Sequence, residues 1–163
     1  MKPMKDLNEL LVHDLQDLYD AEHQISEALP KMVEAASSEE LKTAFQEHLA
    51  QTEEHIKRLK EAFRLLNKRA QRVSCKGMQG LIEEGSELMQ EQSTGEVLDA
   101  ALIAAAQKVE HYEMAAYGSA RTYAYLLDMK DVAQLLQQTL DEEETTDKSL
   151  TQIAGRLNAE AIR

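Results

Sequence analysis

The chain has 163 residues, enough for one domain with a full core and no need of covalent staples. Its 18 lysines and arginines stand against 30 aspartates and glutamates, a net charge of −12, so it repels phosphate backbones and nucleic acid is excluded as an expected partner. The single cysteine, Cys75, excludes an intrachain disulfide framework and fits a reducing cytoplasm, and no run of 18 apolar residues predicts a membrane span.

Two prolines and six glycines in a chain rich in Ala, Leu, Glu, Gln and Met favour helix. The start, Met1 to Asp6, leads into an amphipathic helix rather than an apolar signal stretch. That first helix is expected over about residues 7–36, capped by Asp6 with Glu9 as its capping-box partner. Leu11, Leu15, Leu18, Ile25 and Leu29 form its stripe, and Pro30 is expected to kink it. Ser37 and Glu40 form a second capping box. The second helix carries Leu41, Phe45, Leu49, Ile56, Leu59 and Phe63 and ends at the basic Lys68-Arg69.

Residues 71–95 read as a long crossover holding four of the six glycines, with Met78, Leu81, Ile82, Leu88 and Met89 marking a short amphipathic helix inside it. Ser93-Thr94-Gly95-Glu96 is expected to cap the third long helix, over about residues 96–127. Asp128 is expected to open the fourth, striped by Val132, Leu136, Leu140, Leu150, Ile153 and Leu157. The predicted class is all-α: one four-helix bundle domain over 1–163, with a long crossover containing a short extra helix.

Polar residues that interrupt the apolar stripes carry the functional signal, because positions three, four or seven apart share a helix face. Glu22 lies inside the first stripe, between Leu18 and Ile25. His48, Thr52 and His55 share the second stripe. Glu113 sits between Val109 and Ala116, with Glu110 on its flank. Glu143 follows Leu140, and Asp147 continues its line. Each long helix therefore aims ligand-type residues inward near its middle. Buried carboxylates repel one another unless protonated or bound to cations, and no Lys or Arg lies on these faces at these levels. A pair of metal ions satisfies the set, and oxygen-rich ligation with a single imidazole suits iron or manganese. The predicted ligands are Glu22, His55, Glu110, Glu113 and Glu143, with His48 and Asp147 as further candidates. His13, His23 and His111 are read as solvated, Cys75 as a packed small residue, and the tyrosines as packing groups, one of which can hydrogen-bond a ligand.

These positions resemble the ferritin-like di-iron carboxylate proteins, which take a Glu from two helices and Glu-x-x-His from two others. Within that superfamily the chain is similar to the YciE/YciF-type bacterial stress proteins. The resemblance rests on Leu18-Tyr-Asp-Ala-Glu22, Leu29-Pro-Lys-Met32, the segment from Cys75 to Glu84, the segment from Asp99 to Glu113, and Thr139 to Glu144 with Asp147. It implies a ferritin-like fold, stress induction, a homodimer, and a second Glu on the third long helix, matched by Glu110 and Glu113. Two positions depart from the pattern: Thr52 stands where the second helix should carry Glu, and Thr146 where the fourth should carry His.

Three functions compete. The first is a di-metal redox protein acting on oxygen or peroxide, and the second is metal binding without turnover in a stress-structural homodimer. The third is a bundle whose metal site is degenerate or empty. Thr52 and Thr146 favour the second over the first, and the retained glutamates oppose the third.

Overall fold

The computed structural model describes residues 3–91 and 95–162, and among these residues it is all helical, with five α-helices and no strand. α1 (Leu7–Ala35), α2 (Glu39–Leu65), α4 (Glu96–Leu126) and α5 (Lys130–Glu160) are the long helices, and α3 (Lys76–Gln90) is the short one inside the crossover. α1 packs on α2 and α4, and α5 packs on the same two, so the four long helices close a ring. α3 lies across α1 and α4 on the outside.

The helix ends show where local signals were sufficient. Asp6 caps α1, its Oδ1 accepting from Glu9 N at 2.8 Å. The Glu9 carboxylate accepts from Lys5 N rather than Asp6 N, one residue upstream of the expected box. α1 continues through Pro30 to Ala35. At α2 the cap is Ser38 rather than Ser37, its hydroxyl accepting from Leu41 N at 3.4 Å. The amides of Ser37 and Ser38 are taken instead by Asp99, a buried α4 carboxylate, at 2.7 and 2.8 Å. Asp128 does not open α5: it stands in the left-handed region at φ 57, where a short polar side chain is tolerated, and α5 begins at Lys130. Of the expected cap at α4, Ser93 and Thr94 lie outside the described residues, and Gly95 precedes the helix at φ 64.

α3 holds three of the crossover glycines, despite their helix penalty. Gly77 has a packing reason: a Cβ there would lie 2.6 Å from a ring carbon of Tyr112 on α4. Cys75 is buried and caps α3, its Sγ accepting from Met78 N at 3.4 Å.

The interior is divided. One apolar cluster is built from Leu11, Leu15, Leu18, Leu59, Phe63, Tyr117 and Leu136 with their neighbours. The other contains Ile25, Leu29, Leu41, Phe45, Leu102, Leu150 and Ile153. On every long helix the sequence passes from one cluster to the other across a short polar stretch, and those four stretches form a common layer.

The Asp99 clamp ties the α1–α2 corner to α4 through two charge-assisted hydrogen bonds. Asp99→Ala leaves both amides without that acceptor and is expected to cost about 3 kcal/mol in urea unfolding, with Asp99→Asn costing less. An alanine variant as stable as wild type would show that the corner does not need the clamp.

Candidate metal centre

The layer between the clusters is made of Glu22 from α1, His48, Thr52 and His55 from α2, Glu110 and Glu113 from α4, and Glu143 from α5, all buried. Four helices lined up by their apolar stripes bring these side chains to one level. Donor atoms of His48, Glu110, Glu113 and Glu143 lie within 4.8 Å of one another, as do those of Glu22, His55 and Glu143. Glu143 belongs to both groups.

The layer is short of hydrogen bonds. Among the described residues, every buried side-chain nitrogen or oxygen without a hydrogen-bond partner belongs to these seven residues. Their close approaches are short yet lack hydrogen-bond alignment. His55 Nδ1 lies 3.0 Å from Glu143 Oε1 and 3.3 Å from Glu22 Oε1. His48 Nδ1 lies 3.0 Å from Glu110 Oε1, and its Nε2 is 3.8 Å from Glu143 Oε2. Such a set points at common centres rather than at each other. The buried His and Glu groups can hold a metal ion, because separations near 3 Å suit donors that share an ion with bonds of about 2.1 Å.

Support comes from outside the layer. His55 Nε2 meets Glu142 Oε2 at 2.8 Å, and Arg58 grips that carboxylate with two hydrogen bonds of 2.8 and 2.7 Å. A carboxylate on one imidazole nitrogen fixes the ring and leaves the other, here Nδ1, facing Glu22 and Glu143. On the other side of Glu22, the Tyr117 hydroxyl donates to Oε1 at 2.5 Å.

Electrostatics follow from burial and crowding. Burial, reinforced by Glu143 and Glu22, pushes Glu110 and Glu113 well above the usual carboxylate range. Burial also raises Glu143, but contact with His55 outweighs it and holds that carboxyl down at about 2. For His55, burial opposes the charged form, while Glu143 and Glu22 overcome it and lift the imidazole to about 11. Burial lowers His48, which keeps its ring neutral with a lone pair free.

The structure thus gathers Glu22, His55, Glu110, Glu113 and Glu143 in one layer and brings His48 in with them. Asp147 is elsewhere: it accepts from Gln107 at 3.2 Å and pairs with the exposed His111 at 3.2 Å. Thr146 also turns away, donating to Gln51 at 3.1 Å. Tyr117 is the tyrosine that bonds a carboxylate of the layer, whereas Tyr125 is 70% exposed rather than packed. Sequence reasoning missed the Arg58–Glu142 clamp. Arg58 is three residues after His55, a spacing that would have put it next to that ligand on the same face.

A family model described as Domain of unknown function (DUF892) matches residues 6–162. The chain is 45% identical over 152 residues to protein YciF of Escherichia coli (strain K12), covering 93% of this chain and 92% of that protein. The crystal structure of the E. coli stress protein YciF matches with a TM-score of 0.93 at 43% identity, over 96% of this chain and 99% of that one. YcfI from Rhodopseudomonas palustris matches with a TM-score of 0.90 at 39% identity, over 92% of this chain and 96% of that one.

The shifted groups make stability depend on pH with a definite sign. Folded Glu110, Glu113 and His55 keep protons that the unfolded chain releases, so metal-free stability falls as pH rises above their unfolded values. The opposite contribution of Glu143 is complete above the ordinary carboxylate range, and that of His48 above the ordinary imidazole range. In chelator, the calorimetric melting temperature should therefore decline between about pH 7 and pH 9. A divalent ion must displace those protons, so the stabilisation that metal adds should grow over the same range. A chelated melting temperature that rises instead would contradict this proton distribution.

Proposed function

We propose that this chain, which belongs to the family described as Domain of unknown function (DUF892), is a ferritin-like metal-binding stress protein holding two iron or two manganese ions in its polar layer. The ring of four long helices with one crossover is read as a ferritin-like four-helix bundle. One observation carries the metal reading: the unpartnered buried polar atoms of the described residues are confined to one layer contributed by all four long helices. Native folds satisfy buried polar atoms, so a concentrated exception implies a partner that the chain does not supply.

The donor set supports the number and kind of ion. Two donor groups that share Glu143 would hold a pair of neighbouring ions. Four carboxylates balance the charge of two divalent cations. Carboxylate and imidazole donors without thiolate favour iron or manganese, and Cys75 lies outside the layer, bonded to Tyr112 at 2.9 Å. When bound, such ions supply one-electron chemistry toward oxygen or peroxide. The residues of the chain hold them, exclude bulk water and orient the His55 ring. The stress assignment comes from the relatives: YciF is described as a stress protein.

A second reading is metal holding, or a structural role, without turnover. It is favoured by Thr52, which places a hydroxyl where the resemblance calls for a carboxylate, and by His55, whose raised imidazolium gives the metal-free layer an internal cation. We also propose a homodimer, supported by the resemblance and by the exposed Tyr125 and Leu126 near the end of α4. Sedimentation equilibrium at micromolar concentration should give twice the chain mass, and a monomer there would dismiss the dimer.

Metal content separates the readings. Wild type reconstituted with ferrous iron and desalted should retain about two ions per chain. Glu143→Gln removes the shared ligand and should empty both positions. Glu113→Gln and Glu22→Gln each touch one group and should leave about one ion. Glu84→Gln, whose carboxylate pairs with Lys108 on the surface at 2.9 Å, should change nothing. Wild type that retains no metal would leave the structural role. Full loading in all variants would place the metal away from these ligands.

A further inference from the structure

One cavity of the fold reaches the polar layer. It has a volume of about 50 Å³ and lies between α1, α3 and α4. Its walls are aliphatic, with Ile25 and Leu29 on one side and Ile82 and Val109 among the residues facing them. Three polar residues line it: Lys31 is exposed, Ser86 is half-buried, and only His48 is buried. A surface depression adjoins the cavity, sharing Lys31, Ser86 and Met89 with it. At the inner end, His48 Nε2 is buried without a hydrogen-bond partner and lies 3.8 Å from Glu143, the carboxylate common to both donor groups.

The void is kept open by small residues. Ala28, Gly85, Ala105 and Ala106 all line it. A Cβ built at Gly85 would meet Ala105 at 3.7 Å, an ordinary contact, so close packing does not require glycine there. A methyl group would fit and would favour the helix, yet the position carries none.

The chemistry of such a space is selective. Water and ions need polar partners, and the one buried polar residue of the lining, His48, has its ring nitrogens against Glu110 and Glu143 of the layer. Apolar cavities stay dry and take small uncharged guests such as xenon. The opposite flank of the layer differs: there Glu142 and Arg58 link His55 to a partly exposed, charged surface.

We infer that the cavity between α1, α3 and α4 is the entry route and holding site for a small, uncharged, apolar oxidant of the size of dioxygen, delivered to the His48 side of the centre. The inference rests on the metal reading of the layer and adds the substrate class. Polar reactants such as hydrogen peroxide are not served by this route.

The test uses xenon as the probe on the metal-free protein, and dioxygen on the iron-loaded protein. Crystals under xenon pressure should show the atom in the cavity beside His48. Gly85→Ala, which favours the helix, should lower its occupancy, and Ala105→Leu should abolish it. With ferrous iron bound at the wild-type level, stopped-flow oxidation by dioxygen should slow about tenfold or more in Ala105→Leu, while oxidation by hydrogen peroxide should be unchanged. Circular dichroism and metal content establish that each variant is folded and loaded, and Gly85→Ala carries the comparison if Ala105→Leu is not. No xenon in wild type, or unchanged dioxygen rates in a loaded variant that excludes xenon, overturns the route. Equal slowing with peroxide overturns the selectivity. If wild type takes xenon but binds no iron, the metal reading has failed and the route loses its destination, a result distinct from failure of the cavity itself.

Discussion

Four carboxylates cannot remain ionised side by side in a dry helical interior without positive charge among them. That constraint organises this molecule. Glu22, Glu110, Glu113 and Glu143 occupy one level, and the apolar core is split into a cluster on either side of it. The layer also fixes helix register. Sliding α5 by one turn would carry Glu143 into the apolar cluster that holds Leu140 or into the one that holds Leu150. Either move would strip the carboxylate of its imidazole neighbours at large desolvation cost.

The surroundings of the layer are asymmetric. On the His55 side, Glu142 is held by Arg58 and reaches the surface, so charge and protons have a polar exit there. On the His48 side the walls outside the layer are mostly aliphatic, and the imidazole is pushed towards its neutral form by burial. Two histidines seven residues apart on one helix are thus placed in opposite environments by what packs outside them. One ring meets Glu142 outside the layer, and the other, with its nitrogens against Glu110 and Glu143, abuts an apolar space.

Much of this was legible in the sequence because helix periodicity is a local signal. The gaps in four apolar stripes were enough to select Glu22, His55, Glu110, Glu113 and Glu143, and His48 shares the stripe of His55. What escaped depends on partners far along the chain. Glu142 reads as solvated until α5 is laid against α2, where Arg58 waits 84 residues away. Asp99 reads as a first-turn acidic residue, yet it accepts from amides 61 and 62 residues upstream. The α2 cap was misplaced by one residue because Ser37 and Ser38 present nearly the same local pattern, and both amides are taken by Asp99, whereas the Asp6 cap of α1 stands where its local pattern put it. Asp147 failed for the opposite reason: one turn beyond Glu143, its helix has already turned that side towards Gln107 and His111.

The departures at Thr52 and Thr146 look, from sequence, like a site being lost. The structure has both imidazoles of the layer on α2. Thr146 is not beside the layer, so an imidazole is missing from α5, but α2 supplies two, His48 and His55, with Thr52 buried between them on the same face. The carboxylate that Thr52 replaces would have been a fifth negative charge in a layer already at four. With four carboxylates and two imidazoles retained, two divalent ions would leave the layer electrically neutral. Such a layer is better suited to burial between two apolar clusters than one carrying excess charge. On the metal reading, Thr52 leaves out a charge that two divalent ions would not balance, and α2 contributes both imidazoles of the layer where α5 contributes none.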